Sequence, residues 1–178
     1  MAEVNTESVR ERLIIAGKKE LEEKGAKDFS LRRVALAAGV SCAAPYRHFA
    51  DKEQLIKAIV AYVREGWEML LEHIATAYRD RPADALVEAL RAGVRFWTAN
   101  GDFRSILLYG EGDNDIESFN KPLRQAALLY ARSLGMTEKE SETAVFKALS
   151  TFYGTLLLVF SASMSLEDAL SHLKKEIL

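Results

Sequence analysis

The sequence has few of the residues that interrupt helices or crosslink chains. It contains one cysteine, Cys42, and three prolines among 178 residues. A single cysteine excludes a disulfide within the chain and offers little to a metal site. Three prolines leave long stretches in which a helix meets no breaker.

Alternating β-branched runs are also missing. Apolar residues instead recur at i, i+3, i+4 and i+7 through most of the chain. Hydrophobic residues make up 49% of the sequence and charged residues 28%, a balance that suits a buried core rather than disorder. The pattern predicts an all-α protein.

A strong net charge is missing too, since the formal value is −2. The charge is nevertheless uneven. Residues 1–52 carry ten lysines and arginines against eight acids, and the rest of the chain carries fourteen against eighteen. A modestly basic N-terminal module on an acidic body is typical of some nucleic-acid-binding proteins, although a solvated surface gives the same count.

Signals for export or catalysis are not visible. The N-terminal segment MAEVNTESVRERL is too acidic and polar for a signal peptide. The uncharged stretch 148–166 has the length of a membrane span, but its serines, threonines and glycine lower its hydrophobicity, so we expect a buried or subunit-interface helix. His73 and His172 have no other histidine or cysteine at helical spacing to bind a metal with them. The segment GEGDN (110–114) lacks the preceding strand and the lysine of a phosphate-binding loop. We therefore expect a cytoplasmic protein that is not an enzyme, needs no metal or cofactor, and does not bind a membrane.

Capping residues and apolar periodicity predict the helix boundaries. Ser30, Ser41, Asp51 and the Thr137/Glu140 capping box mark predicted helix starts, and glycines mark several ends. The predicted helices cover residues 6–24, 31–38, a short segment after Ser41, 52–78, 82–97, 103–109, 117–134, 138–163 and 165–178.

Two of these helices are short and joined by a glycine-containing turn, which is the helix-turn-helix signature. The second begins at a predicted Ser41 cap, with Pro45 in its first turn. Cys42, Ala43 and Ala44 keep its tip slim enough to enter a DNA major groove. Tyr46, Arg47 and His48 follow, and side chains of these types form hydrogen bonds with phosphates and base edges. The alternative for Tyr46 and His48 is an ordinary solvated surface.

The segment FSLRRVALAAGVSCAAPYRHFADKEQLIKAI resembles the DNA-binding domain of TetR-family transcriptional regulators. The similarity covers some forty-five residues including the first helix. The matching features are Ser30, the turn Ala38-Gly39-Val40-Ser41, the run Tyr46-Arg47-His48-Phe49, and Asp51-Lys52 with Leu55. This resemblance implies a three-helix DNA-binding domain with a helix-turn-helix (residues 1–50) and a helical ligand-binding and dimerisation domain (51–178).

The resemblance also implies roles for individual residues. Ser30, Tyr46, His48 and Lys52 would contact phosphates, whereas Arg32, Cys42, Ala43, Ala44 and Arg47 would face the groove. Phe49 would pack inward. Arg33 is the weaker candidate beside Arg32, because adjacent helix positions face different ways. Cys42 is either a small residue chosen for close approach or a redox-sensitive thiol.

For the second domain, the resemblance implies a pocket for a small effector of apolar or aromatic character. Candidates for its lining are Trp67, Trp97, Phe103 and Tyr130. The last two helices are expected to form a homodimer interface through Gly154, Leu158, Ala162, Leu170 and Leu173.

Together these features predict a ligand-responsive transcriptional regulator, a repressor that binds a palindromic operator as a homodimer and is released by its effector. A DNA-binding activator or an interaction module without an effector is the alternative.

Overall fold

A computed structural model of the chain describes residues 8–100 and 116–177, with side chains to residue 173. This part of the chain contains eight helices and no strand, which confirms the all-α prediction. The helices are α1 (Val9–Lys24), α2 (Leu31–Ala37), α3 (Pro45–His48), α4 (Lys52–Ala77), α5 (Pro82–Ala99), α6 (Ile116–Ser133), α7 (Glu138–Phe160) and α8 (Leu166–Ile177). The predicted helix 103–109 and the GEGDN segment lie outside the described residues.

The chain divides into two compact units. Among the described residues, the first unit contains 8–64 and the second contains 65–100 and 116–177. Helix α4 contributes its residues up to Arg64 to the first unit and the remainder to the second.

The first unit is built by α1, α2, α3 and the first part of α4. A capping box between Ser8 and Glu11 starts α1, and Ser30 accepts a hydrogen bond from the backbone N–H of Arg33 to start α2. Gly39, in the left-handed region at φ 66°, ends α2 as predicted. The buried core of this unit includes Leu13, Leu21, Phe29, Val34, Phe49, Leu55 and Ile59.

Helix α3 begins later than the sequence predicts. Ser41 is not its N-cap, because residues 42–44 form a turn in which the Ala44 N–H donates to the Ser41 carbonyl at 2.9 Å. The helix starts at Pro45, with Ala44 at the cap. Proline fits the first helical position, where its fixed φ is suitable and its missing N–H costs little. The proline ring, and not the Ser41 hydroxyl, therefore marks this start.

The second unit packs α5 against α6, α7 and α8. Trp67, Phe96, Trp97 and Phe119 form an aromatic cluster whose successive ring centroids are 5.2, 5.7 and 5.3 Å apart. The indole N–H of Trp67 donates to the Phe119 carbonyl at 3.0 Å, which satisfies a fully buried donor.

A glycine permits the closest approach within this core. A Cβ atom on Gly93 of α5 would lie 2.8 Å from Cε2 of Phe152 and 3.0 Å from Cη2 of Trp67. Both rings are buried against the bare helix backbone. The absence of a side chain at this position therefore allows two large aromatic rings to pack on α5.

Helix α7 begins as predicted, with Thr137 and Glu140 forming a capping box. It ends at Phe160, three residues before the predicted end, and Ala162 takes a left-handed φ of 54°. Helix α7 is the one helix in the described part of the chain long and apolar enough to cross a membrane, although only 22% of its most apolar window is buried within the chain.

One part of the predicted dimer face is wrong. Leu170 and Leu173 of α8 are buried, because α8 packs these residues inside its own subunit against α5 and α7. Gly154, Leu158 and Ala162 are exposed on the single chain. The exposed residues of the predicted face therefore lie on the outer face of α7 and in the turn after it.

Candidate functional site

The predicted DNA-contacting residues form the surface of the helix-turn-helix. Arg32 on α2 is exposed, as are Cys42 and Ala43 in the turn before α3. Ser30 and Ala44 are half-buried, the former because its hydroxyl caps α2.

Helix α3 presents three consecutive polar side chains. Tyr46, Arg47 and His48 are all exposed, and the Tyr46 side chain is 63% accessible. The residues on either side, Pro45 and Phe49, are both buried. A helix of four residues has little stability alone, so these two anchors hold its exposed side in place.

Phe49 is fixed by contacts from within its unit. Its backbone N–H donates to the Pro45 carbonyl at 2.9 Å, and the Arg10 guanidinium of α1 lies 5.5 Å from its ring centre. This cation–π geometry ties α3 to α1.

Two arginine side chains bind the ends of helices and loops in the first unit. Arg12 donates to the Ala38 carbonyl at the end of α2 at 3.3 Å. Arg33 forms an ion pair with Glu20 of α1, with Nε 2.7 Å from Oε1, and also donates to the Asp28 carbonyl. The hydrogen bond that Arg33 donates to the Glu20 carboxylate raises the pKa of Arg33. Local sequence patterns do not predict the Arg33–Glu20 and Arg12–Ala38 contacts, because these partners are 13 and 26 residues apart.

Lys52 is placed differently from the other predicted contacts. It is half-buried, and its Nζ lies 2.9 Å from the carbonyl oxygen of Ala26 and 3.5 Å from that of Lys27. The ammonium group therefore binds the loop between α1 and α2.

The second unit contains a groove of about 620 Å³ between α4, α5 and α6. Small and apolar side chains line much of it, including Leu71, Ala75, Pro82, Ala85, Ala89, Pro122, Ala126 and Leu129. Glu68, Glu72, Lys121 and Gln125 add polar groups. This volume falls within the range of small-molecule sites.

The predicted pocket residues do not come together at this groove. Trp67 and Trp97 lie in the buried aromatic cluster, with 0% and 6% of their surfaces exposed. Tyr130 lines a separate cavity of about 320 Å³ with Met136, Glu140 and Lys147. Phe103 lies outside the described residues.

No group of histidine, cysteine, aspartate or glutamate side chains that could hold a metal ion occurs within residues 8–100 and 116–173. The chemistry available to the first unit is hydrogen bonding and charge at an exposed helix. These features define a helix-turn-helix DNA-binding domain.

Comparison with known proteins finds a family match within the first unit. Residues 13–59 match the family "Bacterial regulatory proteins, tetR family". The HTH-type transcriptional regulators Mb1846 of Mycobacterium bovis and Rv1816 of Mycobacterium tuberculosis are each 25% identical to this chain over 132 residues. The match covers 72% of this chain and 54% of each relative, so it spans about half the length of those curated proteins. The resemblance found in the sequence is confirmed, because residues 13–59 match the TetR-family model and the curated relatives are HTH-type transcriptional regulators.

Solved structures share the fold over nearly the whole chain. A TetR transcriptional regulator from Legionella pneumophila is similar with a TM-score of 0.75 and 17% identity, covering 98% of this chain and 97% of that one. A putative TetR-family regulator from Rhodococcus sp. has a TM-score of 0.66 and 22% identity, covering 95% of this chain and 96% of that one. The regulator FadR from Bacillus subtilis, solved in complex with stearoyl-CoA, has a TM-score of 0.70 and 14% identity. The similarity covers 93% of this chain and 96% of that one.

Proposed function

We propose that this protein binds a palindromic DNA operator as a homodimer, represses transcription in the cytoplasm, and is released by a small-molecule effector. Residues 1–50 would bind DNA, and residues 51–178 would bind the effector and dimerise. The observation that carries the proposal is the exposed Tyr46-Arg47-His48 run between two buried anchors.

In the proposed complex, α3 enters the major groove. Tyr46 and His48 donate hydrogen bonds to phosphates, as does Ser30 at the start of α2. Arg47 and Arg32 reach base edges, and the methyl groups of Ala43 and Ala44, with Cys42 beside them, approach thymine methyls. A two-fold dimer would place two copies of α3 in successive major grooves about 34–36 Å apart.

DNA selection followed by gel-shift titration tests this part of the proposal. We expect a palindromic site, with Arg47→Ala weakening binding about 5- to 150-fold and relaxing the preference at one base pair, as for the loss of ~1–3 kcal/mol. Arg132→Ala is the matched control, because Arg132 is exposed on α6 in the other unit. Equal affinity of wild-type and Arg47→Ala protein for every duplex would contradict the proposal.

The homodimer is proposed to form through the outer face of α7. Phe146, Leu157 and Leu158 are 72%, 69% and 41% exposed, and Gly154 and Ser150 lie on the same side of the helix. An apolar surface of this kind is unusual on a monomer, and a two-fold partner would bury it.

Sedimentation analysis tests the interface. Leu157→Glu should shift the protein toward monomer at micromolar concentration, because a charge would be buried between the subunits. Met69→Glu changes another exposed apolar side chain, 58% accessible on α4, and should leave the dimer intact. A dimer unaffected by Leu157→Glu would place the interface elsewhere.

The effector is proposed to occupy the groove between α4, α5 and α6. Its α4 wall runs from Glu68 to Thr76, a rise of about 12 Å. An elongated molecule with an apolar chain fits this length and the alanine-rich lining. The similar fold of the B. subtilis FadR, whose structure contains stearoyl-CoA, supports the same class of ligand. Occupation of the groove would shift α4 and change the separation of the two DNA-binding modules.

A groove-filling variant tests the effector site. Ala75→Trp should retain operator binding and lose release by long-chain acyl compounds in a gel shift. Ala77→Trp, at an exposed α4 position outside the groove lining, should respond as wild type does. Normal release of Ala75→Trp would contradict the assignment of the groove.

A further inference from the structure

The loop between α1 and α2 is held by side chains from two helices, α2 and α4. The carbonyl oxygens of Ala26, Lys27 and Asp28 are consecutive, and each accepts a hydrogen bond from a basic side chain. Lys52 at the start of α4 binds the first two, and Arg33 of α2 binds the third. We call these five residues the loop clasp.

The clasp is anchored at both sides. Arg33 is fixed by Glu20, whose carboxylate is nearly buried on α1. Lys52 is the first residue of α4, and the start of that helix is secured by the Gln54 N–H, which donates to Oδ1 of Asp51 at 2.8 Å. The ends of α1, α2 and α4 thus meet at one short loop.

This loop leads directly into the DNA-facing part of α2. Ser30, its N-cap, follows Asp28 by two residues, and Arg32 lies in the first helical turn. Displacement of the loop would therefore move both side chains relative to α3.

The resemblance to the family assigns Lys52 a phosphate contact. In this structure, however, its ammonium group already donates to two carbonyl groups. A lysine ammonium has three N–H donors, so most of its capacity is used within the protein.

We propose that Lys52 is a positioning residue, which binds the α1–α2 loop and thereby sets the N-terminus of α2 for DNA binding, and that it is not a phosphate contact. This inference rests on the proposed DNA-binding function. It differs from that proposal in what it predicts for salt dependence.

The salt dependence of binding separates the two roles. A lost phosphate contact reduces the slope of log K against log salt by about 0.9, because fewer counterions are released. A lost positioning contact lowers affinity at every salt concentration without changing the slope. Lys52→Met removes the ammonium group and keeps most of the aliphatic stem, and Lys57→Met removes an exposed lysine from the same helix as a control.

We expect Lys52→Met to raise the operator Kd about tenfold, of the order expected for lost hydrogen bonds from a charged donor, with an unchanged slope. Backbone amide NMR signals of residues 26–33 should shift in the DNA-free variant and should not shift in Lys57→Met. A slope reduced by about 0.9, an unchanged Kd, or unshifted amides would each overturn the inference.

Two further measurements keep the outcomes distinct. If Lys52→Met does not fold, the NMR resonance of the Lys52 ammonium group in wild-type protein distinguishes the positioning role from a phosphate contact. A hydrogen-bond coupling to the Ala26 carbonyl carbon that persists when operator DNA is added supports positioning, and its replacement by a coupling to phosphorus overturns it. A wild-type protein that binds no double-stranded DNA instead overturns the proposed function, while the DNA-free amide shifts still test the loop contact.

Discussion

Gly93 offers a sharp test of how the second unit is packed. Replacement by alanine would put a methyl group 2.8 Å from Phe152 and 3.0 Å from Trp67, where ordinary contacts begin at 3.4 Å. Neither ring can move freely, because both are buried and the Trp67 indole is hydrogen-bonded to the Phe119 carbonyl.

The size of the effect follows from two opposing terms. Overpacking a core costs ~1–3 kcal/mol, and exchanging glycine for alanine inside a helix gains about 0.8–1 kcal/mol. We expect Gly93→Ala to lower the free energy of unfolding by up to about 2 kcal/mol.

Gly66 supplies the matched control. It lies within α4, it is exposed, and an added Cβ would meet no atom within 4 Å. Gly66→Ala should therefore raise the free energy of unfolding, by up to about 1 kcal/mol. The helix term is common to both variants, so the difference between them measures the overpacking alone.

Urea denaturation followed by far-ultraviolet circular dichroism, at one fixed protein concentration, gives both values. A Gly93→Ala protein as stable as Gly66→Ala would refute the close packing of the two rings on α5.

Three further changes test hydrogen bonds in the second unit. Thr137→Ala should cost about 0.5–2 kcal/mol through loss of the α7 cap. Hydrogen bonds from Thr137 also lower the pKa of Glu140. The contribution of this ionised carboxylate to the free energy of unfolding is therefore complete above pH 4.5 and is lost as the pH falls. The stability of Thr137→Ala should depend less on pH in this acid range. The Tyr153 hydroxyl donates to Asn120 at 2.6 Å, and burial raises the pKa of Tyr153 above 10. The free energy of unfolding of the wild type should therefore fall as the pH rises above 10. Tyr153→Phe lacks this titrating group and should lose that part of the pH dependence. Trp67→Phe should cost about 1–3 kcal/mol in urea titration, because it leaves a buried carbonyl of α6 without its indole donor.

Most helix starts could be predicted because their causes are local. Ser30, Asp51 and Thr137 each accept a hydrogen bond from a backbone N–H three residues later, so a short stretch of sequence contains the whole interaction. Ser41 failed as a cap because Pro45, four residues on, already supplies a good first helical position and a turn fits between them.

Apolar periodicity showed that α8 has a buried side but did not show what covers it. Leu170 and Leu173 satisfy the pattern equally well against their own subunit or a partner, and in the structure they face their own subunit. Helical spacing records that a face is apolar, whereas the choice of neighbour depends on how distant helices pack.

The site was predictable only in its exposed part. The run Tyr46-Arg47-His48 has its anchors at adjacent positions, so its outward placement follows from neighbouring residues. The roles of Arg33 and Lys52 depend on Glu20 and on carbonyls of the α1–α2 loop, which no local pattern connects to them.

The aromatic cluster gives the protein a built-in optical reporter. The chain has two tryptophans, and both belong to the second unit, each next to the Phe96 ring. Intrinsic indole emission therefore monitors that unit without a dye, and the helix-turn-helix contributes only tyrosine signals. A spectral shift on adding a metabolite would register occupancy of the second unit before any DNA is present.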